Sequence, residues 1–453
     1  MAKKKTLYVC SNCGYESVGW YGRCPSCKEF STLEEITIEC GKSDRISVLK
    51  NKLSVLPIDS IKTDDEHRYV TGMKELDRVL GGGIVKGSLV LIGGSPGIGK
   101  STILLQICEN LGSELKILYV SGEESQQQIK LRAQRLNVYT ENLFVMSETN
   151  ISDICAYIDE MRPNIVIVDS IQTMVHDDVA SSAGSVAQVR ECTNLLMRVG
   201  KGLDIPIIIV GHVNKDGNIA GPKVLEHIVD AVLQFEGDRQ LAYRILRGVK
   251  NRYGSTNEIG VFEMTDKGLK EVENPSMMFI SGRPKNASGT CIACVIDGTR
   301  ALFSEVQSLT ASSGYGNARR MSTGFDYNRM NMILAVLEKR MGYNLSDLDV
   351  YVNVVGGLKL DEPAADLSVA LAIVSGFKDE VVPEDVLAFG EIGLAGEVRA
   401  VSCCEQRINE AARLGFKKCI VPANNLKNIR VKNKEIEVIG VQNIKEAFNA
   451  LTM

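Results

Sequence analysis

The sequence predicts an α/β protein made of more than one unit, and three observations carry that expectation. Across 66–272, strand-length apolar runs ("SLVLIGG", "KILYVSG", "NIVIVDS", "IPIIIVG") alternate with helical patterns such as "KSTILLQICENL" and "SVAQVRECTNLLMRVGKGL". Strands that are apolar throughout and separated by helices describe a parallel sheet covered on both faces. Beyond "EVENPSM" the pattern changes: "LDVYVNVVGGL" stands beside the helical runs "DLSVALAIVSGF" and "CEQRINEAARLGF", so 273–453 reads as a second, mixed α/β domain. Residues 1–35 are rich in Cys, Gly and Lys and hold too little apolar mass for a core of their own. A chain of 453 residues is in any case too long for one ordinary core.

Taken from the start, Cys10, Cys13, Cys24 and Cys27 form C-x2-C-x10-C-x2-C. Two tight turns that each present two thiolates complete a tetrahedral zinc site, structural because it leaves no coordination position open. Residues 36–65 are polar and read as a linker. The thirteen cysteines are an odd number, and the basic start is not followed by an apolar run of signal-peptide length, which predicts a reducing cytoplasm. No apolar run approaches the ~20 residues that cross a bilayer. The net charge of −4 gives no global field for a polyanion, so any nucleic-acid surface must be a local patch.

The stretch "GGSPGIGKST" at 93–102 places Gly94, Gly99, Lys100 and Ser101 in G-x4-G-K-[ST], after a strand and before a helix. Ser95, Pro96, Gly97 and Ile98 fill the loop and Thr102 follows it. Such a loop turns backbone N–H groups onto the phosphates of ATP, Lys100 reaches the outer phosphates, and Ser101 ligates Mg²⁺. Asp169 closes the apolar run "NIVIVDS" and is placed to hold Mg²⁺ through water. Glu123 and Glu124 follow "KILYVSG", whose carboxyl end belongs beside the phosphate loop. Either can polarise an attacking water, and a solvated acidic turn would look the same. Cys291 with Cys294, and Cys403 with Cys404, read as small buried hydrophobes.

Together these residues resemble the RecA-type ATPases, within them the bacterial DNA-repair and recombination proteins that join a four-cysteine finger, a RecA-type P-loop core and a Lon-protease-like α/β domain. The resemblance covers essentially the whole chain. It rests on the finger, "TGMKELDRVLGGGIVKGSLVLIGGSPGIGKST", "YVSGEES", "VDSIQTM", "VGHVNKDGNIAGPKVLEHIVD" and "KNRYG" at 250–254. It implies a DNA-dependent ATPase that binds ATP, Mg²⁺ and Zn²⁺, acts on single-stranded and branched DNA as a hexameric ring, and has RecA recombinase as a partner. Glu123 then takes the role of water activator, His212 that of a γ-phosphate sensor, and 214–222 that of a DNA-facing loop. Lys250 and Arg252 alternate along an extended segment; the resemblance makes them cations that enter the neighbouring subunit's ATP site.

The same resemblance places Ala364 where Lon-type peptidases keep a nucleophilic serine and Glu405 where they keep its activating lysine. A methyl is no nucleophile and a carboxylate cannot replace the amine, so proteolysis is not expected. Arg319, Arg320, Arg329, Lys339 and Arg340 are cations able to meet DNA backbone, or merely a solvated face. Two other functions compete with the DNA motor: a RecA-fold signalling ATPase with protein partners only, and an ATP-dependent protease.

Overall fold

The computed structural model describes residues 4–10, 16–17, 19–25, 28–39, 68–212, 222–237, 243–280, 282–313, 318–429 and 436–451. Cys13, Cys27, most of the stretch read as a linker and nearly all of the 214–222 loop lie outside them. The chain divides into two compact units, Met1–Val272 and Glu273–Met453. The first begins with a small ribbon of three antiparallel strands, with Lys4–Cys10 between Glu16–Ser17 and Leu33–Glu39. Its buried cluster is Cys10, Cys24 and Leu33, with Tyr8 packed against them.

The main sheet of this unit has nine strands. In order across the sheet they are Gly268–Glu271, Ile259–Thr265, Tyr243–Asn251, Ala231–Glu236, Leu89–Gly93, Ile207–Val210, Ile165–Asp169, Ile117–Ser121 and Leu143–Ser147. The six from Ala231–Glu236 to Leu143–Ser147 pair in parallel. Alternation along each strand divides the core into two layers. Val90, Ile92, Ile117, Tyr119, Ile165, Ile167, Ile208 and Val210 belong to one face, and Leu89, Leu91, Leu118, Val120, Val166, Val168, Ile207 and Ile209 to the other. That double burial is why these runs carry no polar face.

The remaining three strands correct the expectation of a wholly parallel sheet, because they add an antiparallel meander to one edge. Their joints, 237–242, 252–258 and 266–267, are too short for the crossover that a parallel return needs, so hairpins are the only way back.

The second unit carries a seven-stranded mixed sheet in the order Arg320–Thr323, Leu348–Val354, Arg300–Ser312, Thr290–Asp297, Val386–Ala388, Lys418–Pro422, Glu437–Val441. The helix Asp366–Lys378, buried along its first ten residues, packs on the two central strands. Cys291 and Cys294 lie buried in the strand Thr290–Asp297, and burial pushes both thiols up to about 12. Cys404 is buried too, but Cys403 is exposed, contrary to the expectation for that pair. It occupies the N-cap position of the helix Cys404–Arg413 in a left-handed conformation (φ 53°), one residue before the buried face begins at Cys404.

Candidate active site

Register builds the site. Across adjacent parallel strands Ile92 stands opposite Val210, Ile209 opposite Val168, and Asp169 opposite Ser121, so four strands end at one level. The residues that follow those ends are the phosphate loop, His212, Ser170 and Glu123. Ligands collect at the carboxyl ends of such strands because loops and helix N-termini converge there.

The loop 94–99 joins the strand Leu89–Gly93 to the helix Lys100–Leu111. Gly94, Gly97 and Gly99 have φ of 152°, 77° and 121°, which a side chain would strain. A Cβ at Gly99 would stand 2.9 Å from Met264 Cε, whereas the space beyond Gly97 is open. Ser95, Pro96 and Gly97 form an exposed crown over buried Ile98. Neighbouring helices are capped by the side chains of Ser125, Asn150 and Ser185, but Lys100–Leu111 has no side-chain cap. Its first N–H groups are free for an anion.

Lys100 is buried and donates to the carbonyls of Gly94 (2.6 Å) and Ser95 (3.1 Å). Burial lowers its pKa to about 8, against the upward pull of Asp169 and Glu123. Asp169 Oδ2 accepts from Ser101 Oγ and from Tyr119 Oη, each at 2.6 Å. The Tyr119 phenol titrates well above its ordinary value, first because it is buried and then because it faces Asp169. Ser101 and Asp169 are hard oxygen donors in contact, a set that fits Mg²⁺ beside a triphosphate.

The two glutamates separate in space. Glu123 accepts from Ser170 Oγ at 2.6 Å and stands 3.3 Å from His212 Nε2. Glu124 turns away into an ion pair with Arg132 on the helix Gln126–Arg135, and its N–H donates to Ser121 Oγ. The intervening Gly122 is required by a close approach, since a Cβ there would fall 2.0 Å from Thr173 Oγ1. Among the described residues, His212 Nδ1 and Gln172 Oε1 are buried without a hydrogen-bond partner, and Gln172 Nε2 reaches the His212 carbonyl at 3.5 Å. Orphaned polar atoms beside the phosphate loop suit a site that receives a polar ligand.

Lys250 and Arg252 are not free prongs within their own subunit. Lys250 Nζ donates to the carbonyls of Glu226 (2.5 Å) and Val229 (2.8 Å), at the end of the helix Pro222–Ile228. Arg252 lies 3.2 Å from buried Asp230, which also holds Lys201 and accepts from the N–H of Leu89. Burial, then the charge of Arg252, lowers the pKa of Lys250.

Among curated relatives, the chain is 51% identical to the DNA repair protein RadA of Bacillus subtilis (strain 168), over 99% of both chains. The chain belongs to the RadA family of DNA repair proteins. A RadA of Streptococcus pyogenes serotype M1 is 48% identical over the full length of both chains. Family models described as an AAA domain, a rubredoxin metal binding domain and subunit ChlI of Mg-chelatase match 58–218, 8–35 and 322–425. A crystal structure of the RadB recombinase aligns over 45% of this chain and 99% of its own at 20% identity, with a TM-score of 0.36. This RadA-family chain is thus an ATPase of a DNA-repair family, with an AAA-type P-loop core between an N-terminal zinc ribbon and a ChlI- and Lon-like C-terminal domain.

In that last domain Ala364 is buried and its carbonyl accepts from Gly390 N–H (2.8 Å). Glu405 stands in the first turn of Cys404–Arg413, and two residues on, Arg407 is wholly buried. Arg407 pairs with Glu362, donates to the Cys294 carbonyl (2.6 Å), and lies 5.6 Å from the Phe389 ring. Two of the five candidate DNA cations are engaged internally. Arg329 makes a two-pronged pair with buried Asp366, and Arg320 donates to the carbonyls of Leu345 and Leu348. Both are corrected from free surface cations to structural ones, whereas Arg319, Lys339 and Arg340 are exposed.

Sequence reading missed Tyr119 and Ser170. Tyr119 had a signal, being the one polar-tipped ring in an apolar strand, where a buried phenol needs a partner. Ser170 had only its place directly after Asp169.

Proposed function

We propose that the chain is a DNA-dependent ATPase that encircles DNA as a hexameric ring in the cytoplasm. It moves on single-stranded and branched DNA during homologous recombination, promoting strand exchange and branch migration alongside RecA recombinase. The observation that carries this reading is the convergence of Lys100, Ser101, Asp169, Glu123 and His212 at one sheet edge, with His212 leading directly into the 214–222 loop. A polar group that touches the water activator and begins the next loop can link hydrolysis to that loop's state. The DNA-repair role of the relatives supports DNA as the polymer.

In this mechanism the loop 94–99 and the N-terminus of Lys100–Leu111 bind the phosphates of ATP, with Gly94, Ser95, Pro96, Gly97, Ile98, Gly99 and Thr102 forming the cradle. Ser101 and Asp169 would hold Mg²⁺, which when bound would supply positive charge against that of the phosphate oxygens. Glu123, oriented by Ser170, takes the proton of the attacking water, and its ion-paired neighbour Glu124 keeps the adjacent turn in place. Lys250 and Arg252 serve the ATP site of the next subunit, where they stabilise transition-state charge. The ribbon holds Zn²⁺ through Cys10, Cys13, Cys24 and Cys27; the two described members, Cys10 and Cys24, fit by being buried together in one cluster.

Glu123→Gln tests the reading. It should bind ATP at wild-type affinity and hydrolyse it roughly 10²- to 10⁴-fold more slowly, with loss of branch migration on a labelled three-strand substrate. Near-normal turnover would assign the base elsewhere. Wild-type hydrolysis that ignores added DNA would replace the motor by a signalling ATPase.

A further inference from the structure

The zinc ribbon carries large rings that its core does not use. Trp20, Tyr21 and Phe30 are 61%, 50% and 70% exposed, while the described core is Cys10, Cys24 and Leu33 with Tyr8. One exposed aromatic is ordinary on any surface; three within eleven residues, in an element this small, are not accounted for by packing among the described residues. The backbone draws two of them toward a common bridge. Ser31 N–H donates to the Gly22 carbonyl (3.0 Å), and Arg23 stands opposite Phe30 in an antiparallel bridge. The Trp20 ring lies over Gly22, 3.6 Å from where a Cβ would stand. The Arg23 guanidinium sits 5.1 Å from the centre of the Phe30 ring, and its Nε donates to the Lys28 carbonyl at 2.6 Å, which fixes its plane.

We infer that this ribbon is a stacking platform for unpaired nucleic-acid bases, with Trp20, Phe30 and Arg23 as its contacts. Flat rings next to a planar guanidinium match the faces of single-stranded bases, which stack on aromatics whatever their sequence. Paired bases inside a duplex offer no such face. The inference rests on the proposed DNA reading for the kind of polymer, and adds where unpaired bases are held.

Trp20 is the chain's one tryptophan, so the tryptophan emission of the intact, zinc-loaded protein reports this surface alone. Unlabelled oligo(dT) should quench that emission with the same midpoint that the anisotropy of end-labelled oligo(dT) shows. Phe30→Ala and Trp20→Ala should each weaken oligo(dT) binding about tenfold, Trp20→Phe should restore most of it, and zinc content should stay at one per chain. Oligo(dT) that binds without changing the emission, and with Phe30→Ala at wild-type affinity, would overturn the platform and leave the DNA reading standing. No binding of oligo(dT) at all would overturn both. Equal quenching by a blunt duplex, or a response to purified RecA and not to oligo(dT), would also reject it, the latter in favour of a protein-docking surface.

Discussion

Lys100 shows how a single residue can carry a pH dependence. Its pKa is lowered to about 8 by burial, so above that pH it is increasingly neutral before ATP arrives. Phosphate favours the charged amine, so binding must then take up a proton. ATP affinity should be nearly flat below pH 7.5 and fall by up to tenfold per unit above about 8.5, and calorimetry in buffers of different ionisation enthalpy should register proton uptake at pH 8.5. Equal affinity at pH 7 and 9.5 would contradict the depressed amine. Ser170 makes a second prediction at this scale. Because its hydroxyl orients Glu123, Ser170→Ala should lower kcat roughly tenfold with little change in KM for ATP, and Ser170→Thr should recover it; a matching rise in KM would mark a general structural role instead. The glycines, Lys100 and Ser101 are legible in sequence because their spacing is local, and Asp169, 68 residues from Ser101, because it closes an apolar run. Ser170 was not, since its partner lies 47 residues away along the chain, and the ring of Tyr119 signalled a need for a partner without showing which residue, 50 positions away, supplies it.

At the scale of elements, the second domain turns on the pair between wholly buried Arg407 of the helix Cys404–Arg413 and partly buried Glu362, near the buried Ala364. Glu362 also accepts from Ile296 N–H (2.7 Å), so the pair ties helix, loop and central strand together. Removing the buried arginine empties the space its side chain fills and leaves Glu362 short of a partner. Arg407→Ala should therefore lower stability by about 3–5 kcal/mol, seen as a lower urea midpoint for the domain's unfolding transition. A change below ~1 kcal/mol would mean that the site relaxes around the loss. The strands and helices of this domain could be read from their apolar runs, but the pair could not, because Arg407 looks like any charged position of an amphipathic helix. The antiparallel edge of the first unit escaped notice similarly: the strand Tyr243–Asn251 alternates in burial, and the pairing of these strands depends on joint length more than on composition.

For the whole molecule, the decisive prediction concerns the proposed neighbour-to-neighbour action of Lys250. Lys250→Ala should bind ATP and lose DNA-stimulated hydrolysis, as Glu123→Gln does. Mixed under conditions of subunit exchange, the two inactive proteins should regain part of the activity, because some interfaces pair an intact Glu123 with an intact Lys250. A mixture as inactive as its components, with exchange shown by labelled subunits, would assign Lys250 to its own subunit's site. Within that subunit Lys250 is held by the carbonyls of Glu226 and Val229, so its release from them would have to accompany assembly. The sequence by itself determined the α/β class, the phosphate loop with its flanking strand and helix, and the cysteine pairs, because each is written in neighbouring residues or in a short repeat of polarity. Only the tertiary structure decided which glutamate faces the site, which arginines are occupied internally and where Lys250 and Arg252 rest. Those outcomes depend on strand register and on contacts between distant segments, which no local pattern encodes.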